Sequence, residues 1–420
     1  MAAGEGWARV HPATGPLRGR VTLPGSKSVT NRALLLAALA TGTSRLSGVL
    51  RSDDTRHMTT ALRAMGVAVE DLDDTTVRVT GTGRLARPDG PLFLGNAGTA
   101  MRFLAAAAAL VDGTVVLDGD AHMRKRPIGP LVEALAALGV AASDTGGCPP
   151  VTVHGRGGFD AARVEIDGRL SSQFVSAVLM AAACGTRPLA VTVAGGDIGA
   201  RGYIDITIAQ MRRFGATVEP SGPLAWRVGA TGYRPVDGAI EPDASAATYL
   251  WAAEALTGGS IDLGFAAADS GQPDARAWNL IRAFPHLPPV IDGSQMQDAV
   301  PTLAVLSAFN ATPVRFVGIA NLRVKECDRI RALSAELSRI RPGLAREEGD
   351  DLVVASDPAL AGQVLPTEIR TYSDHRIAMS FALAALRIGG LTILDPGCAA
   401  KTYPRYWDDL AAVGARVERA

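Results

Sequence analysis

Two kinds of apolar run alternate along the chain. One is almost wholly Ala, Leu, Val and Met; the other places apolar residues three and four apart with charges between them. A helix that is apolar all round is buried, whereas one with a single apolar stripe covers a core from outside. Runs of the first kind follow Arg32, Arg102 and Gln173 and recur at 246–256, 302–309 and 376–386. They stop at Gly-, Thr- or Asn-rich positions and lead into short strand-like stretches at 44–50, 115–117, 189–193, 260–263, 314–317 and 391–394. Runs of the second kind come next, at 55–65, 128–138, 204–214, 275–284, 328–340 and 403–413, and most close on a Gly and an extended segment. The order helix, strand, helix, strand thus returns six times, at a spacing of roughly 70 residues. Between the fourth and fifth copies the spacing drops to roughly 55, across a Pro-rich stretch at 285–301 with no hairpin pattern. The fourth copy is expected to lack a strand pair.

Units of this size exceed those of common solenoids. A length of 420 residues suits two domains. The expected fold is α/β (α+β), with three repeats to each domain around a pseudo-threefold axis. Copies one to three would form a domain from residues 23–240. Copies four to six would form the other from 241–420 together with 1–22, joined only by the N-terminal strand and the connection near Glu241.

Composition narrows the function. Forty-two basic and forty-two acidic residues cancel, so no global field argues for nucleic acid or a membrane surface. No apolar run approaches the ~20 residues of a membrane span, and the first residues show no signal-peptide pattern. Cys148, Cys184, Cys327 and Cys398 are scattered, with no paired spacing suited to zinc. Reduced thiols in the cytoplasm and no metal are the expectation.

The candidate chemistry lies at the helix starts. Before the buried helices stand Lys27, Ser28 and Arg32; Gly95-Asn96-Ala97-Gly98-Thr99 with Arg102; Ser171-Ser172-Gln173; Asp243-Ala244-Ser245; Asp298; and Asp374-His375-Arg376. Each alone reads as an ordinary N-cap. The amphipathic helices begin near Arg124-Lys125-Arg126, Tyr203 and Asp205, Lys325-Glu326-Cys327-Asp328-Arg329, and Lys401-Thr402-Tyr403. A cation at a helix start opposes the dipole at a cost of about 0.3–1 kcal/mol, which a bound anion would offset. Arg126, Arg329 and Lys401 all choose that end. Pseudo-threefold symmetry would gather these starts into an interdomain cleft made positive by Lys27, Arg126, Lys325, Arg329, Arg376 and Lys401. Asp298, Glu326 and Asp374 would be available there for proton transfer. Substrates rich in phosphate and carboxylate are implied.

On these residues the chain resembles the 5-enolpyruvylshikimate-3-phosphate synthases, an enolpyruvyl transferase family. The matching segments are 24–32, 94–102, 126–128, 171–174, 203–205, 323–329, 374–379 and 401–404, spread over nearly the whole length. The resemblance implies two domains of three βαβαββ repeats. It implies transfer of the enolpyruvyl group of phosphoenolpyruvate to the 5-hydroxyl of shikimate 3-phosphate, through a tetrahedral intermediate, with no cofactor. By the same resemblance, Lys27, Gly98, Arg126, Gln173, Arg329, Arg376 and Lys401 would hold phosphoenolpyruvate, with Lys27 also catalytic. Ser28, Arg32, Ser171, Ser172, Gln173, Tyr203, Asp298, Asn321 and Lys325 would hold shikimate 3-phosphate. Asp298 would take the hydroxyl proton and Glu326 would protonate the methylene carbon. A monomer is expected. The small backbone at 96–99 goes, in that family, with access for the inhibitor glyphosate.

Two features depart from the pattern. Before Tyr203 the family usually shows a serine that touches the shikimate phosphate, where this chain has Gly199-Ala200-Arg201-Gly202. Arg201 offers a charge in place of the hydroxyl. The other departure is the short fourth copy. Together they motivate an alternative, a paralogue acting on a different phosphorylated cyclic acceptor. The sister transferase acting on UDP-N-acetylglucosamine fits less well, because its loop cysteine has no counterpart near Arg124–Arg126. Cys327, beside Glu326, reads as a small core residue.

Overall fold

The apolar runs form helices that are buried along nearly their whole length. In the computed structural model, which describes residues 6–195 and 198–420, twelve α-helices appear. The buried set is α1 (Lys27–Leu39), α3 (Gly98–Ala107), α5 (Ser172–Ala182), α7 (Ala244–Thr257), α9 (Val300–Ser307) and α11 (His375–Ala385). The amphipathic set is α2 (Asp53–Ala64), α4 (Gly129–Ala137), α6 (Gly202–Arg213), α8 (Ala277–Arg282), α10 (Arg329–Ile340) and α12 (Tyr406–Ala412). Alanine dominates the buried set, which lets helix axes approach closely in the middle of a core.

The chain divides into a central unit, Gly25–Glu241, and a terminal unit built from residues up to Pro24 with Pro242–Ala420. These borders lie one or two residues from those expected, for a local reason. The Ser26 N–H donates to the Glu241 carbonyl at 2.8 Å and closes the central unit, while the Asp243 N–H donates to the Pro24 carbonyl at 2.9 Å and closes the terminal one. Gly25 passes so near the Gly48 carbonyl that a Cβ would lie 1.8 Å from its oxygen.

Each full copy folds as one four-stranded sheet of constant topology. In the third copy the order is Arg163–Asp167, Leu189–Ala194, Ala225–Val228, Val218–Gly222, the first pair parallel and the others antiparallel. A parallel pair needs a crossover, and the buried helix supplies it. The second copy repeats this with Leu92–Phe93, Asp112–Asp118, Cys148–Arg156 and Ala141–Thr145. The fifth repeats it with Val290–Asp292, Val314–Val317, Asp351–Val354 and Ala345–Glu348.

Two copies borrow a strand from far along the chain. The first takes Gly238–Ala239, parallel to Thr41–Ser47. The sixth takes Trp7–Val10, which lies between Gly389–Leu394 and Val417–Arg419 and pairs antiparallel with both. The fourth copy has only a two-stranded sheet, Ser260–Asp262 parallel to Arg18–Arg20. No hairpin follows α8, in line with the missing strand pattern.

The side chains at the helix starts split into caps and something else. Ser26, Ser171, Asp243 and Asp374 accept a backbone N–H at the starts of α1, α5, α7 and α11. In α3 and α9 the cap residues, Ala97 and Ala299, have no such side chain. The polar residue just ahead of each, Asn96 or Asp298, is turned toward an arginine instead.

Trp7–Val10 is an interior strand, so its loss should open the sixth sheet. Deleting residues 6–12 is expected to speed amide hydrogen exchange across 364–369, 389–394 and 417–419 by orders of magnitude. Residues 25–241 should keep their protection, as measured by mass spectrometry on peptides from both units.

Candidate active site

In the terminal unit the expected residues meet around one guanidinium. Arg329 opens α10 behind the cap Asp328 and is 1% exposed. Its Nε donates to Asp374 Oδ2 at 2.8 Å, its Nη1 to Asp298 Oδ1 at 3.0 Å, and its Nη2 to Glu326 Oε2 at 2.8 Å and Asp374 Oδ1 at 3.3 Å. Burial works against the charge, but Asp374, Glu326 and Asp298 overcome it and hold the group above the ordinary arginine range. The carboxylates are shared in turn. Asp298 Oδ2 accepts from Arg376 Nη2 at 2.8 Å, and Glu326 Oε1 accepts from Lys401 Nζ at 2.7 Å. Lys325 Nζ stands 3.9 Å from Asp298. Four cations thus face three carboxylates, leaving the cluster positive. Charged groups so buried are stable only when paired and hydrogen-bonded, and here each carboxylate oxygen just named has a cation.

Two further residues support this cluster: Tyr249, unread in the sequence, and Cys327, read there as a small core residue. Tyr249, on α7, accepts from Arg376 Nη1 through its hydroxyl at 3.3 Å and packs edge-on against Tyr406. Its only sequence signal is a tyrosine in an otherwise apolar run, since a buried phenol usually has a partner. Cys327 Sγ lies 3.6 Å from Asp374 Oδ2. Burial, then Asp374, pushes this thiol up, so it is a neutral donor rather than a nucleophile. Asn321 Oδ1 is buried with no hydrogen-bond partner, which marks it as an acceptor awaiting a donor. The start of α7 does not join this cluster: Ser245 donates to the Asp274 carboxylate, and the Ala244 N–H donates to Gln272 Oε1 at 3.1 Å.

In the central unit the glycine turn before α3 carries the second set. Arg126 is buried and donates from Nη1 to Asn96 Oδ1 at 3.1 Å. Arg102 donates to the Gly98 carbonyl at 3.1 Å and the Pro127 carbonyl at 2.8 Å, with its guanidinium 5.7 Å from the centre of the Phe174 ring. A Cβ on Gly98 would lie 2.5 Å from Arg102 Nη1 and 2.7 Å from Arg126 Cζ. The glycine is there because two guanidinium groups crowd it. Gln173 Nε2 donates to Thr99 Oγ1 at 3.3 Å, which ties the start of α5 to the same turn. Lys27 and Ser28, at the start of α1, are partly exposed, as are Ser171 and Tyr203, while Ser172 is buried.

Arg32 differs from its expected place at the acceptor. It is 1% exposed and points into the core, donating to Thr207 Oγ1 at 2.7 Å and to the carbonyls of Ser28 at 2.9 Å and Tyr203 at 3.0 Å. Its guanidinium lies 5.0 Å from the Phe103 ring centre, and burial lowers it to about 10. It fastens the starts of α1 and α6 rather than facing solvent. Arg201 donates to the Pro223 carbonyl at 2.8 Å and lies 4.0 Å from Asp205. Ala200 takes a left-handed backbone, φ 61°, and is buried.

Comparison with known proteins bears on the family and the fold. A family model described as EPSP synthase (3-phosphoshikimate 1-carboxyvinyltransferase) matches residues 12–284 and 285–410. A 3-phosphoshikimate 1-carboxyvinyltransferase from Rhizobium leguminosarum bv. trifolii is 69% identical over 403 residues, covering 96% of either chain. One from Pseudomonas syringae pv. syringae is 64% identical over 410 residues, covering 98% of either chain. Among solved structures, EPSP synthase from Acinetobacter baumannii superposes with a TM-score of 0.80 at 24% identity, over 99% of this chain and 100% of that one. The enolpyruvyl transferase NikO from Streptomyces tendae gives 0.74 at 19% identity, over 99% of both chains. At those identities the two structures speak for the fold.

Proposed function

This chain belongs to the EPSP synthase (3-phosphoshikimate 1-carboxyvinyltransferase) family, and from that premise we infer how its residues divide the chemistry. The reaction moves the enolpyruvyl group of phosphoenolpyruvate onto the 5-hydroxyl of shikimate 3-phosphate and releases phosphate. Arg329, Arg376 and Lys401 are assigned to the carboxylate and phosphate of phosphoenolpyruvate, the arginines as planar two-point clamps. On the central unit Lys27, Gly98, Arg126 and Gln173 are assigned to the same substrate. Ser28, Ser171, Ser172, Gln173 and Tyr203, with Asp298, Asn321 and Lys325 on the terminal unit, are assigned to shikimate 3-phosphate. The orphaned Asn321 Oδ1 supports that choice. Arg32 serves the acceptor through Ser28 and Tyr203, whose carbonyls it holds.

The observation that carries this reading is the bridging of two carboxylates. Glu326 spans Arg329 and Lys401, and Asp298 spans Arg329 and Arg376. Without substrate these acids occupy the places that substrate anions would take. When the anions of phosphoenolpyruvate engage the cations, Glu326 loses the pairing that favours its ionised form and becomes easier to protonate. That is the state a general acid needs. Glu326 then gives a proton to the methylene carbon as the 5-oxygen bonds to the neighbouring carbon, while Asp298 takes the hydroxyl proton. The tetrahedral product is a crowded polyanion, and Lys27, Arg126 and Lys401 stabilise it. Breaking the carbon–oxygen bond to phosphate, with return of the methyl proton to Glu326, restores the double bond. The hydroxyl proton leaves with the phosphate.

The cysteine distribution and balanced charge support a cytoplasmic enzyme, and we assign it as a monomer. No helix among the described residues is long and apolar enough to cross a membrane.

Two experiments test the assignments. In steady-state phosphate release, Glu326→Gln is expected to lower kcat by roughly a thousandfold while both substrates still bind by calorimetry. Turnover near the parent rate would remove Glu326 from the acid role. Gly98→Ala puts a methyl against Arg102 and Arg126, and is expected to raise KM for phosphoenolpyruvate by roughly tenfold or more. KM for shikimate 3-phosphate should stay near the parent value, and glyphosate should inhibit less. An unchanged KM for phosphoenolpyruvate would contradict the placement of Gly98 at that substrate.

A further inference from the structure

Glu336 has no part in the chemistry assigned above. It lies on α10, two turns beyond Arg329, among Ile330, Leu333, Leu337 and Ile340, at a position their spacing would give to a hydrophobic residue. It is fully buried. A carboxylate in such surroundings needs donors close by. Two of its three donors come from one short segment, the turn that precedes α11. Tyr372 donates its hydroxyl to Glu336 Oε1 at 2.7 Å, and the Arg370 N–H donates to Oε2 at 3.1 Å. The third donor is Arg339, one turn on, through Nε to Oε2 at 3.1 Å.

That turn is strained. Tyr372 and Ser373 both take left-handed backbone conformations, φ 56° and 52°, which residues with side chains adopt rarely and in succession more rarely still. Such a conformation persists only where the surroundings over-determine it. The next residue is Asp374, fully buried, which caps α11 by accepting the Arg376 N–H at 2.9 Å and also accepts from Arg329. Anything that fixes the turn therefore fixes Asp374, and with it the two arginines assigned to phosphoenolpyruvate.

We propose that Glu336 and Tyr372 are positioning residues, whose hydrogen bond holds the strained 370–373 turn and thereby sets the orientation of Arg329 and Arg376 toward phosphoenolpyruvate. The assignment rests on the reading of those arginines given above. Burial, then the bond to Glu336, pushes the Tyr372 phenol up to about 12, so it remains a donor across the assay range. The acceptor side of the reaction hangs mainly on other elements, so the effect of loosening the turn falls on one substrate.

Tyr372→Phe removes only the donor. The ring is partly exposed and leaves no cavity behind, so folding is preserved. The variant is expected to raise KM for phosphoenolpyruvate by roughly tenfold and leave KM for shikimate 3-phosphate within about twofold. Glu336→Gln keeps an acceptor for the phenol and is expected to fall between the parent and Tyr372→Phe. Adding Glu336→Gln to Tyr372→Phe should then raise KM less than the two separate effects multiplied, because the pair acts as one unit. A parent-like KM for phosphoenolpyruvate in Tyr372→Phe overturns the proposal. So does a parallel rise in both KM values with a lowered Tm, the signature of a merely structural pair. If the parent enzyme released no phosphate from the two substrates, the family-based reading would fail instead, and the two failures are distinct.

Discussion

A guanidinium sealed from water and shared among three carboxylates is the constraint on which the terminal unit depends. Arg329 cannot be charged and 1% exposed unless acids surround it, and those acids cannot be buried unless further cations engage their free oxygens. The result is a lattice running Lys401, Glu326, Arg329, Asp298, Arg376, with Asp374 held at its centre. Such a lattice is a weak source of net stability, because desolvation cancels much of the attraction. What it confers is geometry. Charges that share partners in this way hold one another in fixed orientations.

The helix repeat explains how so many polar groups come to stand at helix starts within each unit. A helix start offers free N–H groups and a positive dipole end, and the protein fills it in three ways. In α1, α5, α7 and α11 a Ser or Asp side chain caps it. In α3 a glycine turn leaves room for two arginines. In α9 the Asp ahead of the helix is released from capping and given to Arg329 and Arg376. Departure from the cap pattern coincides with proposed function in both cases.

Much of this was legible in the sequence because it is periodic. Apolar runs placed the twelve α-helices of the described residues, and the absence of a hairpin pattern after residue 284 marked the two-stranded fourth sheet. Arg329 was legible because a cation at a helix start breaks a local rule. The structure corrects the other two: Arg126 closes a 3-10 turn ahead of α4 and Lys401 ends one ahead of α12, so neither opens a helix. Sequence could not show which way a long side chain turns. Arg32 and Arg126 look alike as basic residues near helix starts, yet Arg32 is spent on Thr207, Ser28 and Tyr203 inside the core. Glu336 left a usable trace, an acid on the apolar stripe of α10, whereas the left-handed pair at Tyr372 and Ser373 left none. Backbone strain is imposed by tertiary contacts and carries no propensity signal in residues other than Gly, Asn or Asp.

The strand Trp7–Val10 has a consequence for the order in which the protein can be made. Its partners, Gly389–Leu394 and Val417–Arg419, leave the ribosome only after the whole central unit has done so. The central unit has every strand it needs once residue 241 has emerged and can fold during synthesis. Trp7–Val10 must wait, unpaired, until those partners have emerged. It is short and carries Arg9 within it, features that keep a lone strand from adding to other chains. Closing this sheet joins the most sequence-distant strands among the described residues, and long-range pairing of that kind is intrinsically slow to form.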